Sequence, residues 1–151
     1  MVRGMADLDD VRSLLAREQG LCVVSTSRAD GSIQSSIVNA GVMTDPVNGE
    51  QTVALVVRSS ARKVAHLRAR PQITVAVRSG WEWVTVEGTA EIIGPDDPSP
   101  HFDADGIRGL LRSVFAAAGG THDDWDEYDR VMATERRAAV FVRPTRIYSN
   151  G

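Results

Sequence analysis

Leu21-Cys22-Val23-Val24-Ser25-Thr26-Ser27 opens the stretch that decides the fold, and it runs on through Asp30-Gly31, Ile33 to Met43 and Asn48-Gly49 to Thr52-Val53-Ala54-Leu55-Val56-Val57-Arg58. The first run is apolar and rich in β-branched residues, the pattern of a buried strand. Asp30-Gly31 marks a hairpin turn, because glycine accepts the positive φ such turns require. Ile33 to Met43 reads as a second, longer strand. Asn48-Gly49 marks another turn, and Thr52 to Arg58 reads as a third strand. Three strands joined by tight turns describe an antiparallel meander rather than a βαβ unit.

Upstream, Asp7 has the place of a helix N-cap, with Asp10 in the capping-box position. Leu8, Val11, Leu14 and Leu15 recur at helical spacing, and Gly20 stops the helix. Downstream, Ser60 to Ala69 predicts a short helix with Val64 and Leu67 facing inward, ended by Pro71. Ile73 to Val77 is a fourth strand and Trp83 to Ile92 a fifth. In the fifth, Val84, Val86, Ala90 and Ile92 face one way and Trp83, Thr85, Glu87, Thr89 and Glu91 the other. Asp105 to Ala118 reads as helix. Thr121 is expected to cap a last helix, with Asp123, Asp124 and Asp126 in its first turn. Ala138 to Val142 and Arg146 to Tyr148 read as two closing strands. The sum is a mainly β chain with flanking helices, a small antiparallel barrel of six or seven strands, expected as one domain over 1–151.

A chain of 151 residues, 42% apolar and 25% charged, has the balance of a globular protein that buries its own core. A net charge of −3 argues against a nucleic-acid partner and against an anionic membrane surface. No apolar run approaches membrane-spanning length. Cys22 is the single cysteine, and Met1 to Met5 show no apolar signal core. Both lead to the expectation of a reducing cytoplasm.

Lys63 is the single lysine among 17 basic residues. With Arg62 it falls in the first turn of the helix after the third strand, where the helix dipole is positive and cations are disfavoured. Two readings fit. Both side chains extend into water, or an anion sits at the helix start and is met by free amides, by the Ser59 or Ser60 hydroxyl and by the two cations.

Arg58-Ser59-Ser60-Ala61-Arg62-Lys63-Val64-Ala65-His66-Leu67-Arg68-Ala69-Arg70-Pro71 resembles the phosphate-binding signature of the pyridoxamine 5'-phosphate oxidase-like, FMN-binding split β-barrels. It is similar in particular to the actinobacterial branch that uses the deazaflavin coenzyme F-420. Gly80-Trp81-Glu82-Trp83 through Glu87-Gly88-Thr89-Ala90-Glu91 resembles a strand of that branch. Asp123 to Tyr128, with Glu135-Arg136-Arg137, resembles its late helix and the strand after it. The resemblance implies a split barrel that forms a homodimer, with the cofactor between subunits.

By that resemblance, Arg62 and Lys63, with Ser59 or Ser60, hold the cofactor phosphate. Ser36, Val38 and Asn39 run along the tricyclic ring. Val57 and Arg58 lie beside the ring or its ribityl chain, and Trp81 of the partner copy covers the edge. Coenzyme F-420 is the implied cofactor and FMN the alternative. The implied reaction is hydride transfer to a small conjugated acceptor such as an enone, a quinone or a tetrapyrrole-like compound. A carrier without turnover shares every binding feature. Arg58, Arg68 and Arg70 are candidates to meet a charged cofactor tail. The chain ends at Gly151 without the C-terminal tryptophan-and-arginine stretch of the oxidases proper, so vitamin B6 oxidation is not expected.

Other candidates carry less. Ser60-Ala61-Arg62-Lys63 matches S-x-x-K, but companion motifs are missing. His66, His101 and His122 lack ligand spacing, so no metal site is expected, and His66 reads as an exposed helix residue. Glu82 and Glu87 read as solvated or paired, and Cys22 as a small apolar strand residue. Trp81 and Trp83 also suit simple packing. No side chain is assigned a catalytic role.

Overall fold

A computed structural model describes residues 6–150. Met1 to Met5, where the sequence shows no signal core, lie outside the described residues. The elements run α1 (Leu8–Arg17), β1 (Leu21–Ser27), β2 (Ile33–Thr44), β3 (Gln51–Arg58), α2 (Arg62–Ala69), β4 (Gln72–Ser79), β5 (Glu82–Ile93), α3 (Ala104–Ala117), α4 (Trp125–Thr134) and β6 (Arg137–Ser149). The strands form one closed antiparallel barrel in the order β1-β2-β3-β6-β5-β4. Closure comes from β1, which pairs Val24 with Ser36 of β2 on one side and with Val75 of β4 on the other. The barrel with flanking helices is the fold class expected from the sequence.

Strand periodicity explains both cores. Val53, Leu55 and Val57 of β3 and Ala138, Val140 and Val142 of β6 point into the barrel. The residues between them, Ala54, Ala139 and Phe141, point outward under α3 and α4, against Leu111, Val114 and Tyr128. Strands buried on both faces need continuous apolar runs, which is how β3 and the first half of β6 read. Helices α1 and α2 add Val11, Leu14, Leu15, Val64 and Leu67 to the interior cluster.

The capping box forms as its spacing predicts. The Asp10 amide donates to the Asp7 carboxylate at 3.1 Å, and the Asp7 amide donates to Asp10 at 2.9 Å.

Four expectations need correction. The two closing strands are one continuous strand. Pro144 is tolerated because β6 pairs with β3 only as far as Val142, and Pro144 lies opposite Gly88 at a bulge in β5. Thr121 does not cap the last helix. Asp124 does, accepting from the Glu127 amide at 3.1 Å, so Asp126 and Glu127 occupy the first turn. Helix α2 begins at Arg62, after Ala61, and no side chain caps it. His66 is half-buried rather than exposed, because its Nδ1 bonds the buried Thr26 hydroxyl at 2.9 Å.

Candidate functional site

A cavity of about 580 Å³ opens where the end of β3, the start of α2, the middle of β2 and the end of α3 meet. That size suits a cofactor or other small molecule. Of the residues singled out in the sequence, it brings together Val38, Asn39, Val57, Arg58 and Lys63. Ser36, Ser59, Ser60, Arg62 and Trp81 are not among its lining residues.

Each case has a local cause. Ser36 is half-buried on β2, opposite Val24. The Ser59 hydroxyl is buried and donates to the Arg136 carbonyl at 2.6 Å, which leaves Ser60 as the exposed hydroxyl. Arg62 is exposed at the first position of α2. Trp81 is 93% exposed on the outside of the barrel. There it lines a second, larger cavity of about 930 Å³ with Leu21, Cys22, Ile37 and Trp83. Ile37 belongs to both cavities, so the two adjoin.

The charge of the first cavity is one-sided. Among the described residues Arg58, Lys63 and Arg137 line it, and no acidic side chain does. Just behind them Glu135 accepts from Arg58 at 2.6 Å and from Arg137 at 3.0 Å. One carboxylate thus serves two guanidiniums, and the Arg137 contact, followed by that of Arg58, holds it below its ordinary pKa. Three cations against one carboxylate leave two positive charges uncompensated. Lys63 has no ion-pair partner among the described residues. The amides at the start of α2 meet no side-chain cap; Val64 donates to the Ala61 carbonyl, while Arg62 and Lys63 hold the first two helical positions, whose amides have no acceptor within a helix. Such an arrangement attracts an anion.

The rest of the wall is different. Val38, Val57, Ile37, Val114 and Phe115 give it an apolar part, and Gln19 and Asn39 add carboxamides. A group with an anionic end, a flat apolar body and a hydrogen-bonding edge fits this donor set. Tyr128 also reaches the cavity, but its hydroxyl donates to the Leu111 carbonyl at 3.1 Å and burial pushes its pKa up to about 12. It is therefore not a ready proton donor.

Other readings resolve simply. Arg68 pairs with Asp97 through two bonds of 2.9 and 2.6 Å, and Arg70 donates to the Ser27 carbonyl. Of the three candidate arginines, only Arg58 lines the cavity. Glu82 pairs with Arg17 and Glu87 accepts from Tyr148 at 2.9 Å, so both are paired residues. Cys22 is buried, and desolvation raises its thiol pKa to about 12. Among the described residues no His/Cys/Asp/Glu cluster could hold a metal ion.

Gln19, Ile37, Phe115, Gly119, Gly120 and Arg137 line the cavity without having been singled out. Gly119-Gly120 after a helix was the one readable signal. The others arrive from segments distant in the chain, and no spacing links them.

Known proteins share this fold. The structure is similar to a conserved hypothetical protein, Rv2991, from Mycobacterium tuberculosis, with a TM-score of 0.69 at 17% identity over 99% of this chain and 88% of that one. It is similar to an F-420 reductase, with a TM-score of 0.60 at 18% identity over 98% of both chains. It also resembles a heme binding protein from Mycobacterium smegmatis, with a TM-score of 0.62 at 18% identity over all of this chain and 56% of that one. Likeness at these identities concerns the fold alone. The sequence itself goes further: residues 8–119 match the family described as pyridoxamine 5'-phosphate oxidase. With that match spanning most of the barrel, the chain belongs to the pyridoxamine 5'-phosphate oxidase family.

Proposed function

We propose that this protein is a homodimeric oxidoreductase, one domain over 1–151, that uses reduced coenzyme F-420 to pass hydride to a small conjugated acceptor. The observation that carries the reading is the cavity whose cations, Arg58, Lys63 and Arg137, outnumber the single carboxylate behind them. A phosphate-bearing flavin or deazaflavin matches that imbalance and the apolar wall beside it. The family membership supports the same class of cofactor. Hydride transfer is the chemistry such a group supplies when bound; the protein contributes position and exclusion of water.

The roles then follow from the residues. Lys63 and Arg58 hold the phosphate, helped by the exposed Ser60 and Arg62 beside them. Val38 and Val57 flank the ring, and Asn39 lies along its edge. Ser36 and Ser59 act from behind the wall. With the Tyr128 hydroxyl engaged by Leu111, solvent delivers the proton. F-420 is favoured over FMN because Arg62, next in the chain to the lining residues Ala61 and Lys63, is an additional exposed cation, free of ion pairs among the described residues. A polyglutamate tail uses such a charge, and FMN has no such tail.

The dimer rests on the apolar outer face. Leu21, Ile37 and Trp81 are exposed together around the larger cavity, and exposed apolar patches of this kind mark association surfaces. A partner laid there brings its own Trp81 near the first cavity through Ile37. Sedimentation is expected to give twice the 16.3 kDa chain mass. A monomer at micromolar concentration would remove the partner's tryptophan from the site.

The cofactor is tested by fluorescence titration with F-420 and FMN, followed by a screen of acceptors for oxidation of reduced F-420. Tighter binding of F-420 is expected. Preference for FMN would reassign the cofactor, and binding without turnover of any acceptor would make the protein a carrier.

A further inference from the structure

Among the described residues, two that are not glycine hold a positive φ: Gln19 at 57° and Arg136 at 49°. Each directly follows the C-cap of a helix, Glu18 for α1 and Glu135 for α4. Glycine is preferred at that position, because a side chain in the left-handed conformation costs roughly 1 kcal/mol. A larger residue there calls for a reason.

Arg136 has one. Its guanidinium grips both oxygens of Asp96, and its carbonyl accepts the buried Ser59 hydroxyl. Gln19 has none among the described residues. Its backbone carbonyl accepts from Asn39 Nδ2 at 2.8 Å, a bond that glycine would make equally well. Gln19 is exposed, its carboxamide has no hydrogen-bond partner among the described residues, and it lines the cationic cavity, where a ligand would replace the water it meets. Strain of this kind clusters at active sites and ligand clamps.

We propose that Gln19 is a cofactor-contacting residue whose carboxamide pairs with the imide edge of the tricyclic ring. The inference rests on the reading of the cavity as a flavin or deazaflavin site. A carboxamide presents a donor and an acceptor side by side. That matches the adjacent N–H and C=O of a uracil-like edge, which both cofactors carry and a phosphate lacks. Gln19 reaches the wall from the α1–β1 junction, next to Asn39, which pairs with Leu21 across β1 and β2. The cations come from the end of β3, the start of α2 and the start of β6. One part of the wall thus reads the ring and another the phosphate.

The test exploits opposite signs. Gln19→Gly relieves the backbone, so the thermal midpoint of the unliganded protein is expected to hold or rise. The same change is expected to weaken riboflavin, FMN and F-420 binding alike, each about tenfold, the worth of one or two hydrogen bonds. Riboflavin has no phosphate, so its loss isolates the ring contact. Should Gln19→Gly lower the midpoint, Gln19→Asn, which tolerates this backbone but is one methylene shorter, carries the same binding measurement. Unchanged affinity in the well-folded variant, with wild-type binding intact, overturns the assignment of Gln19 alone. A wild-type protein that binds none of the three ligands overturns the cofactor reading and this inference together.

Discussion

Lys63→Ala is expected to weaken F-420 and FMN binding by roughly 10- to 150-fold, the worth of one charge-assisted hydrogen bond to phosphate, about 1.5–3 kcal/mol. The effect is large because Lys63 is, among the described residues, the one cation lining the cavity that has no ion-pair partner. Arg58 and Arg137 share Glu135, which already draws on their charge. The fold is expected to survive, since Lys63 makes no ion pair or side-chain hydrogen bond within the described residues. Far-ultraviolet circular dichroism checks the fold and fluorescence titration checks the affinity. Riboflavin binding is expected to stay unchanged, because the lost contact is to phosphate. Lys63→Arg keeps the charge and is expected to recover most of the affinity. An alanine variant that binds FMN as tightly as wild type would place the phosphate elsewhere.

Gly41→Val is expected to destabilise the protein by about 3 kcal/mol or more, at the upper end for overpacking. A Cβ at this position would stand 2.1 Å from the Ala117 carbonyl oxygen and 2.6 Å from the Ala118 nitrogen. Both are backbone atoms, so no rotamer change relieves the clash. The C-terminal turn of α3 has to lift off β2. That turn carries Phe115, Ala118, Gly119 and Gly120 into the cavity, so cofactor affinity is expected to fall with stability. Urea denaturation reads the first effect and titration the second. Gly109→Ala, on the same helix, meets nothing within 4 Å and serves as the control. A Gly41→Val protein with the wild-type midpoint would show that α3 does not seat on β2 as described.

The barrel was largely legible from local pattern. Period-2 alternation and the Asp30-Gly31 and Asn48-Gly49 turns suffice for a meander, because hairpin geometry depends on a few adjacent residues. Gly31 and Gly49 both take the positive φ those turns require. The final strand reads as two in the sequence, on either side of Pro144, and is one. Whether proline breaks a strand depends on whether a neighbour needs its amide, and at Pro144 β3 has already ended its pairing. The start of the last helix is ambiguous in the sequence. Thr121 and Asp124 both have cap chemistry, and it is Asp124 that accepts from the Glu127 amide.

The cationic stretch from Arg58 to Lys63 illustrates the division most clearly. By itself the sequence determined that cations sit at the wrong end of a short helix, a conflict an anion resolves. That inference needs only local geometry and the helix dipole. Only the tertiary structure decided which members of the stretch face one cavity. Lys63 and Arg58 do, while the Ser59 hydroxyl turns back to the Arg136 carbonyl. Only it brought Gln19, Phe115 and Arg137 to the same wall. The physical reason is that a barrel closes through long-range pairing. Residues brought together by closure share no spacing in the chain, so neither local propensity nor periodicity can register that they meet.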